Sequence, residues 1–130
     1  MGDLITVTVP VVITVYTHTL PNGDELQWNV DEAQRIVAAF PREPEWVSPV
    51  FQVQVYRNQE VNRAHLKDVN EDEPGIVAPI IINGEQFHVL VDGNHRCVKA
   101  TEMLKNFSVY PLTPEESLRC LIKGDPKYLP

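Results

Sequence analysis

The stretch FHVLVDGNHRCVKATEML, at residues 87–104, predicts a strand, a tight turn and a helix. Its first part, residues 87–91, is an apolar run that is typical of a buried strand. From Cys97 onward, apolar and small residues return at the i, i+3, i+4 and i+7 spacing of one helix face. Gly93 supplies backbone freedom for the turn, and Asn94 stands where a helix N-cap is expected.

The start of this helix is a candidate anion-binding site. A helix that leaves such a turn directs backbone N–H groups and the positive end of its dipole outward. His95 and Arg96 lie in the first turn, where cations oppose the dipole unless an anion lies between them. A guanidinium binds phosphate oxygens in a bidentate way, and a protonated imidazole adds a donor. The alternative is a structural role, in which Arg96 pairs with Asp92 or with a neighbouring carbonyl.

Asp92 is a candidate metal ligand beside this site. Carboxylate oxygens suit Mg²⁺, which binds proteins through few carboxylates and keeps contacts to phosphates. The alternative is a turn aspartate that bonds its own backbone.

The sequence DGNHRCVKA at residues 92–100, with GIVAPIIINGEQFHVLV before it and SVYPL after it, resembles the ParB-like domain superfamily. This superfamily includes chromosome-partitioning nucleotide-binding domains, sulfiredoxins, free-serine kinases and many small phage and plasmid proteins. The matching features are Pro79 followed by Ile80 on a strand, the turn at residues 93–96, and Ala100 early in the helix. The resemblance covers about residues 50–118.

The resemblance implies an α/β or α+β fold, in which helices pack on a small mixed β-sheet. It implies a phosphate-binding role for Gly93, His95 and Arg96, and in the kinase branch an Asp-Gly pair precedes the phosphate-binding residues as Asp92 does here. Arg63 lies in a segment where family members place a second basic group near the ligand.

Asn94 departs from the family pattern. The partitioning proteins usually carry Glu at this position, and the sulfiredoxins carry their reactive Cys. An amide is neither a carboxylate metal ligand nor a thiol nucleophile, so Asn94 argues against sulfiredoxin chemistry.

Composition limits the class of protein. A chain of 130 residues predicts one domain, and a net charge of −7 argues against binding bulk nucleic acid through phosphate neutralisation. The two cysteines lack metal-type spacing, which favours a reduced, cytoplasmic setting. No apolar run is long enough to predict a membrane span.

The remaining sequence predicts two parts of this single domain, 1–130. Residues 1–44 form an N-terminal addition, with β-branched strand sequence at 4–17, a turn, a strand at 25–29 and a helix at 32–40 capped by Asp31. Residues 50–122 form the ParB-like core. In it we expect strands at 51–56, 76–82, 87–91 and 107–112, and a weaker helical segment at 58–69. We also expect a solvated acidic loop at 70–75 and a helix at 113–122 that opens with a capping box.

These observations predict a protein that binds a phosphate-bearing small molecule, most simply a nucleotide, at the turn of residues 92–96. The ligand-binding residues would be Gly93, Asn94, His95 and Arg96, with Pro79 and Arg63 nearby. If the protein is an enzyme, the reaction class is Mg²⁺-dependent phosphotransfer or nucleotide hydrolysis, with Asp92, His95 and Arg96 as the catalytic residues. Two alternatives remain: a non-catalytic phage- or plasmid-type interaction module that is able to form a homodimer, and a DNA-binding protein or nuclease.

Overall fold

The chain is described by a computed structural model over residues 12–130. The strands are β1 (Val15–Thr19), β2 (Glu25–Asn29), β3 (Glu45–Trp46), β4 (Gly75–Ile82), β5 (Glu85–Asp92), β6 (Ser108–Pro111) and β7 (Leu121–Lys123). The helices are α1 (Val30–Ala39), α2 (Pro49–Asn58), α3 (Arg63–Leu66), α4 (Asn94–Glu102) and α5 (Pro114–Cys120), and a 3-10 helix follows at Pro126–Tyr128. None of the helices in this part of the chain has the length and apolar character needed to cross a bilayer. The strand sequence expected at residues 4–11 lies outside the described residues.

The strands form two sheets. The first has the order β1-β2-β7 and is antiparallel. The second has the order β3-β6-β4-β5, and its β4–β6 pair is parallel while its other pairs are antiparallel. The predicted class of a small α+β protein with a mixed sheet is therefore confirmed, although the N-terminal hairpin belongs to a separate sheet, β1-β2-β7.

Two clusters of buried side chains form the core. The first joins Leu26, Trp28 and Ile36 of the N-terminal segment to Ile80 and Val91 of the β4–β5 hairpin, among others. The second lies under α4 and includes Val98 and Phe107. The N-terminal segment and the predicted ParB-like part thus share one core.

Strong local signals give the expected elements. Asn83 and Gly84 have φ of 52° and 78° and join β4 to β5, since this dipeptide tolerates the left-handed backbone of a two-residue hairpin turn. The strand predicted at 25–29 pairs with β1 as the second half of a hairpin. At α5, Thr113 Oγ1 accepts from the Glu116 N–H and Glu116 Oε1 accepts from the Thr113 N–H, so the capping box is confirmed.

The strand predicted at residues 51–56 is wrong, because these residues lie in α2. Ser48 caps this helix by accepting the Phe51 N–H at 3.1 Å, and Pro49 occupies its first position. The helix buries Gln52 and Val55 against the second core cluster, and Gln52 donates to the Lys105 carbonyl at 2.9 Å. The alternation of apolar and polar residues in this segment therefore does not reflect a half-buried strand.

Three predicted boundaries also need correction. Asn29, not Asp31, caps α1, since its side chain accepts the Glu32 N–H while Asp31 accepts the Thr14 N–H at 2.7 Å. Within the segment expected to be helical at 58–69, only Asn58, the last residue of α2, and the short α3 are helical. The last helix ends at Cys120, because the next residues pair with β2 as the strand β7.

Candidate functional site

The turn between β5 and α4 places Gly93, not Asn94, at the N-cap of the helix. Gly93 has φ of 96° and ψ of 19°, in the left-handed region that favours glycine. No side chain within residues 12–130 caps α4, so its first backbone N–H groups face outward from the turn. Asn94 is the first helical residue, and its amide donates to the Leu90 carbonyl at 3.1 Å.

Arg96 lies at the centre of a small charged cluster. Its Nη2 contacts Asp92 Oδ2 at 3.1 Å and its Nη1 contacts Glu73 Oε2 at 3.2 Å. Gln34, from α1, donates to the same Asp92 oxygen at 3.1 Å. The Arg96 side chain is only 13% exposed, whereas that of Glu73 is 63% exposed. The Arg96–Asp92 pair considered as the structural alternative is thus present, and Glu73 is the member of the cluster that can move most easily.

His95 has a backbone donor as its partner. Its Nε2 lies 3.3 Å from the Asn62 N–H and accepts from it, which requires the ring proton to be on Nδ1. In this arrangement His95 cannot donate to a ligand through Nε2.

The acidic loop before β4 is bound to α4, which corrects the expectation of a simply solvated loop. Glu71 contacts Lys105 at 2.8 Å and Lys99 at 3.4 Å. The Lys105 ammonium is the main cause that lowers the pKa of Glu71 to about 2. With the Glu73–Arg96 contact, these bonds hold the loop along α4, from Arg96 in its first turn to Lys99 near its end and Lys105 beyond it.

Two clefts meet at the charged cluster. The polar cleft, of about 680 Å³, is lined by the turn residues 93–96 and by His65, Asp68 and Asn70. The apolar cleft, of about 460 Å³, is lined by Val37, Ala38, Pro41, Pro74, Ile76 and Tyr110, and Arg42 also borders it. Gln34, Glu73, Asp92 and Arg96 line both clefts, so the two clefts adjoin at the cluster.

Two predicted ligand-binding residues lie elsewhere. Arg63, on α3, forms an ion pair with Glu102 and is 64% exposed. Pro79 is buried in β4 opposite His88. Neither residue lines either cleft.

The described residues do not form a metal site by themselves. No group of three or more His, Cys, Asp or Glu side chains within residues 12–130 is arranged to hold an ion. Asp92 offers one carboxylate, and its Oδ2 already accepts from Gln34 and Arg96. A single carboxylate suits Mg²⁺ only when phosphate oxygens supply further ligands.

The two buried cysteines have no part in the proposed phosphate chemistry. Burial raises the pKa of Cys97 and of Cys120 to about 11, so both remain protonated at neutral pH and behave as small apolar groups.

Sequence reasoning missed Gln34 and Glu73. Gln34 lies 58 residues before Asp92 and carries no motif, so only the packing of α1 beside the turn identifies it. The signal for Glu73 was present, since an acidic loop precedes the β4–β5 hairpin that leads to a basic helix start.

No family model matches this chain, and neither a curated protein nor a solved structure matches it. The resemblance to the ParB-like superfamily therefore depends on the motif and its flanking strands, and it stays a prediction.

Proposed function

We propose that the turn at residues 92–96 binds the phosphate group of a small molecule, most simply a nucleotide. The observation that supports this proposal is the uncapped start of α4, which follows the left-handed Gly93 and opens into the polar cleft beside Arg96. Outward N–H groups, the helix dipole and a guanidinium together favour an anion at such a place.

The bound anion would take the place of Glu73. The Glu73 side chain is largely exposed, and a solvent-exposed ion pair contributes only about 0–1 kcal/mol. Arg96 would keep its bond to Asp92 and turn its second nitrogen to a phosphate oxygen. The backbone N–H groups of Asn94 and His95 would donate to the same phosphate.

Turnover is a further proposal on the same site. If the protein is an enzyme, the proposed reaction is phosphotransfer or nucleotide hydrolysis. Arg96 would then stabilise charge on the phosphoryl oxygens, and Asp92 would bind a Mg²⁺ ion that arrives with the ligand's phosphates. With its Nε2 occupied by Asn62, His95 would help only after α3 has moved.

The experiment is a thermal-shift screen with inorganic phosphate, ATP, ADP, CTP and GTP, each with and without Mg²⁺. A ligand at a hundred times its Kd should add about 2.7 kcal/mol to the free energy of unfolding. Arg96→Gln should abolish this gain because it removes the cation, and Arg63→Gln should keep it because Arg63 lines neither cleft. Equal gains in both variants, or no gain with any compound in the folded parent, would remove the support for the site.

A second candidate function is protein interaction, favoured by one observation on α2. Val50 and Val53 lie one helical turn apart on the face opposite the core and are 66% and 41% exposed. We propose self-association through this face as the alternative function. The mass in solution would then rise with concentration, and Val53→Lys would prevent the rise; a constant monomer mass would exclude it.

A further inference from the structure

We infer that the apolar cleft binds the nucleoside part of the ligand whose phosphates occupy the polar cleft. This inference depends on the proposed function, and it adds α1 to the binding site. The lining of the apolar cleft includes Val37 and Ala38 from α1, and Ile76 and Tyr110 from the β3-β6-β4-β5 sheet.

The chemistry of the two clefts differs across the charged cluster. On the polar side, the helix start and Arg96 favour negative charge. On the apolar side, alkyl groups, two proline rings and the ring of Tyr110 favour a flat apolar group. A ligand with a charged end and an uncharged ring at the other end fits both sides, and a nucleotide has this form.

The apolar cleft does not attract a second anion at Arg42. Arg42 borders it, but both of its terminal nitrogens bind the carboxylate of Glu116, the Nη2–Oε2 contact being 2.7 Å. Arg42 also donates to the carbonyls of Phe40 and Pro111, at 2.9 Å and 3.0 Å. Because this guanidinium is neutralised and its donors are used, the end of the ligand in this cleft should be uncharged.

The boundary between the clefts suits the sugar. Gln34 lines both clefts and holds an exposed amide beside Asp92. An amide and a carboxylate at this point can exchange hydrogen bonds with ribose hydroxyls. Each cleft alone is within the range of about 300–1,000 Å³ that small-molecule sites occupy, so the pair has room for a nucleotide.

The test fills the apolar cleft without touching the phosphate site. Ala38 lines this cleft and Ala39 does not, although both are exposed neighbours near the end of α1. We would measure Kd by calorimetry for the four ribonucleoside triphosphates and for inorganic triphosphate, using the parent, Ala38→Trp and Ala39→Trp. Inorganic triphosphate carries the same phosphate chain without the nucleoside.

The expected result is that Ala38→Trp weakens the preferred nucleotide by about tenfold or more and leaves inorganic triphosphate unchanged. Ala39→Trp should change neither, and Ala38→Glu gives a second variant that blocks the same cleft by charge. Equal Kd of nucleotide and inorganic triphosphate in the parent would overturn this inference alone, as would a nucleotide Kd that neither Ala38 variant changes. Failure of the parent to bind either compound would overturn the proposed function, and this inference with it.

Discussion

The turn at Gly93 allows a sharp prediction about stability. Replacing Gly93 by alanine adds a Cβ that would lie 2.9 Å from the Gly75 Cα and 3.0 Å from Arg96 Nη2. The arginine can move, but the Gly75 Cα is backbone of β4 and cannot shift without disturbing the pairing of Gly75 with Val109 of β6. Gly23, in the β1–β2 turn, provides a matched control because its φ is 93° against 96° for Gly93, and an added Cβ there meets nothing within 4 Å.

The two substitutions share every contribution to the free energy of unfolding except the close contact of the added Cβ at residue 93. Left-handed backbone costs an L-residue about 1–2 kcal/mol, and the lower entropy of the unfolded chain returns about 0.4–1 kcal/mol. Gly23→Ala should therefore cost about 1 kcal/mol. Gly93→Ala adds overpacking of about 1–3 kcal/mol, which gives a total of about 2–4 kcal/mol.

Urea unfolding of the parent and both variants measures these differences as changes in the transition midpoint at constant slope. Thermal midpoints should fall by a few degrees for each kcal/mol. If Gly93→Ala loses no more free energy of unfolding than Gly23→Ala, the turn does not lie as close to Gly75 of β4 as in this structure, and the predicted overpacking is refuted.

Two further predictions concern carboxylates. Pairing with Arg42 lowers the pKa of Glu116 from 4.5 to about 2, so this pair stabilises the fold above pH 4.5 and its contribution is lost as pH falls toward 2. Glu116→Gln should lower the free energy of unfolding at pH 7 by about 1–2 kcal/mol and flatten its acid dependence in that range; a variant that keeps the parent's dependence would contradict this. Glu73→Gln removes the carboxylate that competes for Arg96, so inorganic phosphate should bind about two- to fivefold more tightly in calorimetry. The control Glu115→Gln, on an exposed position of α5, should leave Kd unchanged, and equal Kd in the two variants would refute the competition.

Elements with strong local signals could be predicted from the sequence. The Asn83-Gly84 turn, the capping box at Thr113 and the helix that follows Gly93 each depend on backbone conformations or bonds formed within a few residues. Such signals act independently of the rest of the fold, so the mixed α+β class could be predicted from them.

The sequence-based predictions were wrong or incomplete where contacts between distant segments determine the local structure. The alternation of apolar and polar residues at 51–56 predicted a strand, whereas the structure has the helix α2 there, capped by Ser48 and with Pro49 at its first position. The buried Gln52 donates its amide to the carbonyl of Lys105, which lies 53 residues later in the chain. The spacing of apolar residues within the segment cannot predict such a partner. Likewise the turn at 92–96 could be predicted as a candidate site, but its contacts with Gln34 and Glu73 depend on distant segments.

The pairing of β2 with β7 sets the order in which this chain can assemble during synthesis. Trp28 pairs with Leu121 and donates its indole N–H to Ser117 Oγ at 3.1 Å, a partner 89 residues later in the chain. The ribosome therefore releases the N-terminal hairpin long before its covering strand exists. Until α5 and β7 emerge, the nascent hairpin presents an open strand edge and an uncovered indole, which makes this interval the one most exposed to misassembly.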